Sequence, residues 1–147
     1  LPGKGLRDAA SLVAAATGLV MATYTGVLIG ATAIPVWKQN VRLLPVHFGA
    51  SAFGSAVALL ELRGHRNDAL NSLALGASIF ESLPAGAPES QALMRIAGAL
   101  SGPVPLLFRL FGKRKAAAVS TLLGSLATRF AWLEAGKRSA RDVTAAV

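Results

Sequence analysis

The stretch Ala9–Trp37, AASLVAAATGLVMATYTGVLIGATAIPVW, contains no charged residue. Wound as an α-helix, its 29 residues reach roughly 43 Å, more than the roughly 30 Å hydrocarbon core of a bilayer. This reads as a first membrane helix that ends near Pro35 and Trp37, where an indole can sit at headgroup depth. Lys38, Gln39, Asn40 and Arg42 follow as a polar turn, short enough that the next helix must run back antiparallel.

Outward from that turn the pattern repeats. Leu43 to Leu60 is uncharged and just long enough to span. Past a polar loop from Glu61 to Asp68, the apolar run Ala69–Phe80 is stopped by Glu81. Such a segment either continues to Pro84 in a protein-lined setting or lies half-buried at the interface. Pro84 to Pro88 reads as a linker and Ser90 as a helix cap. Gly102, Pro103 and Pro105 predict a kink within the next helix. Lys113, Arg114 and Lys115 form a basic loop before a last helix that contains Arg129. The expectation is an all-α, polytopic transmembrane bundle of four to five helices in a single domain, 1–147, with helices at about 9–37, 43–62, 69–83, 91–111 and 116–135.

Composition agrees. Hydrophobic residues make up 53%, charged residues 15%, and mean hydropathy is +0.53, whereas soluble domains carry about 25% charged residues. The net charge of +8 comes from cations clustered between apolar runs, which suits anionic headgroups as partners; with no binding motif, nucleic acid is not expected. If every segment crosses, eight Lys/Arg flank the end holding Lys4, Arg63 and Lys113 against six at the other, a bias toward a cytoplasmic N-terminal end. The chain has no cysteine, so disulfides, thiolate zinc sites and cysteine-ligated iron–sulfur clusters are excluded. Residue 1 is Leu, and the first apolar run is too long for a signal-peptide core, so the expectation is a piece or a trimmed product.

Small residues recur every fourth position at Ala14, Gly18, Ala22, Gly26 and Gly30, and again at Ala50, Gly54 and Ala58. In lipid, close helix approach depends on such faces, so they read as helix-packing positions and the first two helices as neighbours. A groove for a cofactor or lipid tail is the alternative. His47, with Ser51 one turn on and Tyr24 and Thr25 on the preceding helix, is a candidate site because burying an ionisable group is costly. His47 either hydrogen-bonds a backbone carbonyl or serves in proton relay, quinone contact, or pigment or haem ligation. Glu61 reads as an interfacial carboxylate. Intramembrane Glu81 and Arg129 either neutralise each other across helices or Arg129 snorkels to the interface. No metal cage, catalytic triad or nucleotide fingerprint is present.

Tyr24-Thr25-Gly26-Val27-Leu28, Ala33-Ile34-Pro35-Val36-Trp37 and the Leu44-Pro45 to Phe48 to Ser51-Ala52 run resemble the NrfD/PsrC family of polysulfide-reductase-type membrane subunits. Arg129-Phe130-Ala131-Trp132, Ala135-Gly136 and Ser139-Ala140-Arg141-Asp142 are similar to that family's closing helix and tail. The resemblance covers nearly the whole chain and corresponds to the family's C-terminal half. It implies a non-catalytic subunit, or fragment, anchoring a quinone-linked electron-transfer complex in a bacterial inner membrane. The implied partners are other membrane subunits, an iron–sulfur protein subunit and lipids. No cofactor is expected on this chain; quinone belongs to the complex, and no quinone-binding residue carries over, with His47 and Tyr24 the only candidate contacts. Two positions depart from the pattern: His47 replaces an apolar residue, and Val143 stands where Pro often follows the Asp of the tail. Rival expectations are a helper subunit recruited into a photosynthetic or respiratory assembly, and half of a proton or ion transporter.

Overall fold

The computed structural model describes residues 3–83 and 92–145, and among these residues every regular element is helical. In chain order they are α1 (Lys4–Gly30), α2 (Pro35–Gln39), α3 (Leu44–Leu62), α4 (Asp68–Glu81), α5 (Ala92–Ser101), α6 (Pro103–Leu110) and α7 (Arg114–Ala145). Four helical stretches are long and apolar enough to cross a membrane: α1, α3, α5–α6 taken together, and α7 to Asp142. The chain is an all-α membrane protein. The expected linker at Pro84–Pro88 and the Ser90 cap lie outside the described residues.

Three helices differ in extent from the sequence expectation. The first helix does not run unbroken from 9 to 37; α1 starts already at Lys4 and ends at Gly30, and the chain restarts at Pro35. Proline has no N–H to donate to the carbonyl four residues back, and its ring forces the preceding residue out of the helical region. Ile34 is accordingly extended, at φ −70°, ψ 119°, and Pro35 opens α2. The 69–83 segment is helical only over Asp68–Glu81, where Asn67 Oδ1 accepts from the Leu70 N–H at 2.7 Å and caps the helix start. The last helix, expected at 116–135, takes Arg114 and Lys115 into its first turn and continues to Ala145. An Arg138–Glu134 pair one turn apart (3.2 Å) supports that extension. The kink falls at Gly102, between α5 and α6, as the Gly102-Pro103-Pro105 pattern predicts.

Two glycines close helices in the left-handed region. Gly64 (φ 96°) follows α3 and Gly112 (φ 70°) follows α6. Each ends a Schellman turn, with the His65 N–H donating to the Leu60 carbonyl and the Lys113 N–H to the Phe108 carbonyl.

Neighbouring helices are antiparallel, giving the bundle two ends. Gly26 abuts Leu44 and Pro45, Gly30 abuts Val41, and Gly49 abuts Thr23, so α1 runs toward the Trp37 end and α3 runs back. Across α3 and α7, Ser51 meets Ser125 and Gly54 meets Thr121. Helix α4 sets out again from the opposite end, and α5–α6 returns there to the Gly112 turn. Its 14 residues make α4 about 21 Å long, so it stops inside the bundle, with Ser82 against Gly102.

The small-residue face of α1 divides in two. A Cβ on Gly26 would come within 2.7 Å of the Pro45 backbone, and one on Gly30 within 2.9 Å of Val41. Gly18 has no neighbour within 4 Å, because α1 and α3 diverge away from the Trp37 end. Gly54 does pack closely, but against Thr121 and Ala77 rather than α1. Helix α3 therefore meets α1 through Pro45 and Gly49 and turns the Ala50-Gly54-Ala58 spacing toward other helices.

Large apolar side chains such as Leu12, Met21, Phe53, Ile79, Leu123 and Phe130 are exposed along the helices. A soluble domain does not present so much continuous apolar surface; in a bilayer it is the lipid face. The chain should therefore stay with membranes through an alkaline carbonate wash and require detergent for release. Recovery in the wash supernatant would end the membrane assignment.

Candidate functional site

Two buried polar groupings lie inside the bundle. The first is near the Gly112 end. Glu61, one residue before the end of α3, and Arg109, one residue before the end of α6, form a bidentate pair. Arg109 Nη2 donates to Glu61 Oε2 at 2.7 Å and Nη1 to Oε1 at 2.9 Å. Nη1 also donates to Asn71 Oδ1 of α4 at 3.0 Å. The two charged side chains are 2% and 1% exposed, so Glu61, expected as an interfacial carboxylate from its place at a helix end, is enclosed by protein there. The planar guanidinium satisfies both carboxylate oxygens at once, which makes burial of the two charges tolerable. Arg109 went unrecognised in the sequence. The available signal was depth: both residues stand one position inside a helix end, and alternating crossings bring those two ends to the same side.

The second grouping is deeper. Glu81, at the last turn of α4, is buried beside the hydroxyls of Ser101 from α5, which donates to the Ala97 carbonyl at 3.0 Å, and Ser51 from α3. Ser51 in turn donates to Ser125 Oγ of α7 at 2.7 Å. Glu81 Oε1 and Thr128 Oγ1 have no hydrogen-bond partner among the described residues. Arg129 acts on Glu81 electrostatically, but the two do not form a direct ion pair. The Arg129 guanidinium instead lies 5.5 Å above the Phe48 ring centroid, on an outward-facing residue of α7. This is a cation–π placement, available because the ring face carries partial negative charge. His47, Phe48, Ser51, Thr128 and Arg129 surround one small void. His47 is buried in the first turn of α3, so it stands beside the cluster that Glu81 anchors. A buried carboxylate beside hydroxyls in an apolar surround, with one oxygen unpartnered among the described residues, can bind and release a proton.

Tyr24 is half-exposed on α1 and is not brought into this cluster. The diverging α1 and α3 leave a groove of about 530 Å³ lined by Leu12, Gly18, Leu19, Ala22, Phe53 and Ala56, among other apolar residues. None of its lining side chains donates a hydrogen bond, so it offers nothing to a quinone carbonyl. Among the described residues no group of three His, Asp or Glu is placed to hold a metal ion.

At the Trp37 end a seam joins distant segments. Trp37 Nε1 donates to the Trp132 carbonyl at 3.0 Å, and the Val36 N–H donates to Ser139 Oγ, 103 positions away, at 3.3 Å. Val36, Leu44, Phe48, Trp132 and Ala135 form the apolar core beneath these bonds. Gly136 lies against the Trp37 indole, leaving no room there for a side chain. Compared with family models, curated proteins and solved structures, the chain matches none.

Proposed function

We propose that this chain is an NrfD-like integral membrane subunit, or part of one, that anchors a quinone-linked electron-transfer complex in a bacterial inner membrane. On this reading an iron–sulfur protein subunit and further membrane subunits carry the redox centres, and this chain supplies a helical platform with a polar interior. The supporting observation is the Trp37 seam. Several of the residues on which the family resemblance rests, Pro35 to Trp37, Leu44, Phe48, Trp132, Ala135, Gly136 and Ser139, meet there, while Tyr24, Val27, Leu28 and Phe130 face outward. A set of short motifs that meets in one packed unit is better matched to a common architecture than to chance recurrence of membrane residues.

A second reading, half of a proton or ion transporter, draws on Glu81, a buried carboxylate with one oxygen unpartnered among the described residues. Intact mass of the natural gene product, measured with its co-purifying chains, separates the two. A product accompanied by a subunit with iron–sulfur absorbance is the expected result. A self-sufficient homodimer that carries ion flux in proteoliposomes would replace the first reading with the second. In the assembled complex, His47→Leu then tests the candidate contact, since Leu keeps the apolar bulk and removes the titrating nitrogens. Altered quinone-linked turnover with assembly intact is expected if His47 contacts the reaction path. Unchanged turnover and spectrum would remove it from the site.

A further inference from the structure

The Gly112 end carries a feature that neither buried grouping uses. The α3–α4 loop and the α6–α7 turn enclose a cleft of about 500 Å³ lined by Arg66, Gly112, Lys113, Arg114, Lys115 and Ala116. We infer that this cleft holds the headgroup of an anionic phospholipid, its phosphate among Arg66, Lys113 and Lys115 and its acyl chains along the exposed edge of α6.

Charge balance is the first argument. Four cations surround the cleft, and the first turn of α7 contains no acidic residue. Helix starts favour Asp and Glu because the unpaired N–H groups there carry partial positive charge. Here a 32-residue helix begins with Arg114 and Lys115, directly after Lys113, so positive charge is stacked on positive charge. Asp68 is the acid in contact, 3.8 Å from Arg114 Nη2, and it is fully solvent-exposed, where an ion pair contributes little. An anion in the cleft resolves the excess.

Location decides which anion. The cleft sits where α3 and α6 end and α7 begins, three stretches that are long enough to span, so it lies at headgroup depth. Beside it Leu110 is 78% and Phe111 75% exposed, with Leu107 one turn earlier on the same helix. A basic pocket rimmed by exposed apolar side chains matches a phosphate joined to hydrocarbon. Nucleic acid or a free phosphate makes no use of Leu110 and Phe111. Basic pockets between membrane helices are known to take such headgroups.

The test uses the full chain, purified in detergent and stripped of lipid, titrated with phosphatidylglycerol, cardiolipin or phosphatidylcholine and read by native mass spectrometry. The anionic lipids should be retained well above phosphatidylcholine. Arg66→Gln, Lys113→Gln and Lys115→Gln, all exposed positions, should each weaken retention on the order of fivefold and the triple variant multiplicatively. A matched triple at the other end, Lys38→Gln, Arg42→Gln and Lys137→Gln, should leave retention unchanged. Equal retention of all three lipids by the wild-type chain overturns the site without recourse to any variant. So does equal loss in both triples, which would mean diffuse surface charge. Displacement by millimolar inorganic phosphate with no headgroup preference would mark a free-anion site, and capture of polyglutamate in preference to lipid an acidic polypeptide site. Either result also overturns it.

Discussion

Arg109→Met should destabilise the bundle by about 3–5 kcal/mol, because it leaves the Glu61 carboxylate buried without its counter-charge. The residue is enclosed by α3, α4 and α6 and supplies three hydrogen bonds to Glu61 and Asn71. Neither water nor another cation replaces them at a carboxylate that is 1% exposed. Thermal unfolding of the detergent-solubilised chain, followed by the fraction that remains monodisperse, measures the loss. Glu61→Leu combined with Arg109→Met should recover much of it, since a pair removed together leaves no orphaned charge. Unchanged thermal stability of Arg109→Met alone would mean that the pair is solvated in the membrane-bound protein. A double variant as weak as the single would mean that shape, rather than charge balance, sets the effect.

Gly26→Leu is the second large effect, expected at about 1–3 kcal/mol or more, as overpacking commonly costs. Its Cβ alone would approach backbone atoms of Leu44 and Pro45 to 2.7–2.8 Å, and backbone, unlike a flexible side-chain tip, cannot swing aside. The α1–α3 crossing must open. Val27→Leu, at a half-exposed neighbour, and Gly18→Leu, with nothing within 4 Å, should both be nearly silent. Crosslinking between cysteines placed on α1 and α3 near the crossing reads the separation directly. Equal crosslinking in Gly26→Leu and Gly18→Leu would show that the crossing is not sustained in the bilayer.

That contrast marks how far the sequence could be read. Uncharged length identified the spanning helices, and Pro and Gly marked the breaks, because both signals are local. The stripe at Gly18, Ala22, Gly26 and Gly30 was visible as a stripe, but which part of it is clasped depends on the crossing angle of α1 and α3, which no residue on α1 alone encodes. Gly54 shares the spacing and faces α7 and α4 instead. The polar interior was half legible for the same reason. Glu81 announced itself by interrupting an apolar run, and its electrostatic partner Arg129 likewise. The hydroxyls beside it come from two other helices: Ser51 stood out one turn on from His47, but nothing in the residues flanking Ser101 distinguishes it from the remaining serines. Arg109 sat unremarked at the end of an apolar helix, where snorkelling is the ordinary fate of a basic residue; only the tertiary arrangement turns it inward to Glu61.

The shortness of α4 bears on how the chain is made. A helix of 14 residues that begins at Asp68, bears Asn71 and ends on Glu81 is a poor substrate for the machinery that releases segments into the bilayer one at a time, since it is too short to span and its polar side chains weigh against partitioning. Asn71 awaits Arg109 and Glu81 awaits Ser101, and both partners are synthesised later. Helix α4 is therefore expected to reach its resting depth only after α5 and α6 have emerged. Until then its polar side chains must be sheltered by α3 or by the insertion apparatus itself. Insertion of the central helices is then expected to be cooperative, with a nascent chain truncated before residue 100 holding α4 outside the hydrocarbon layer.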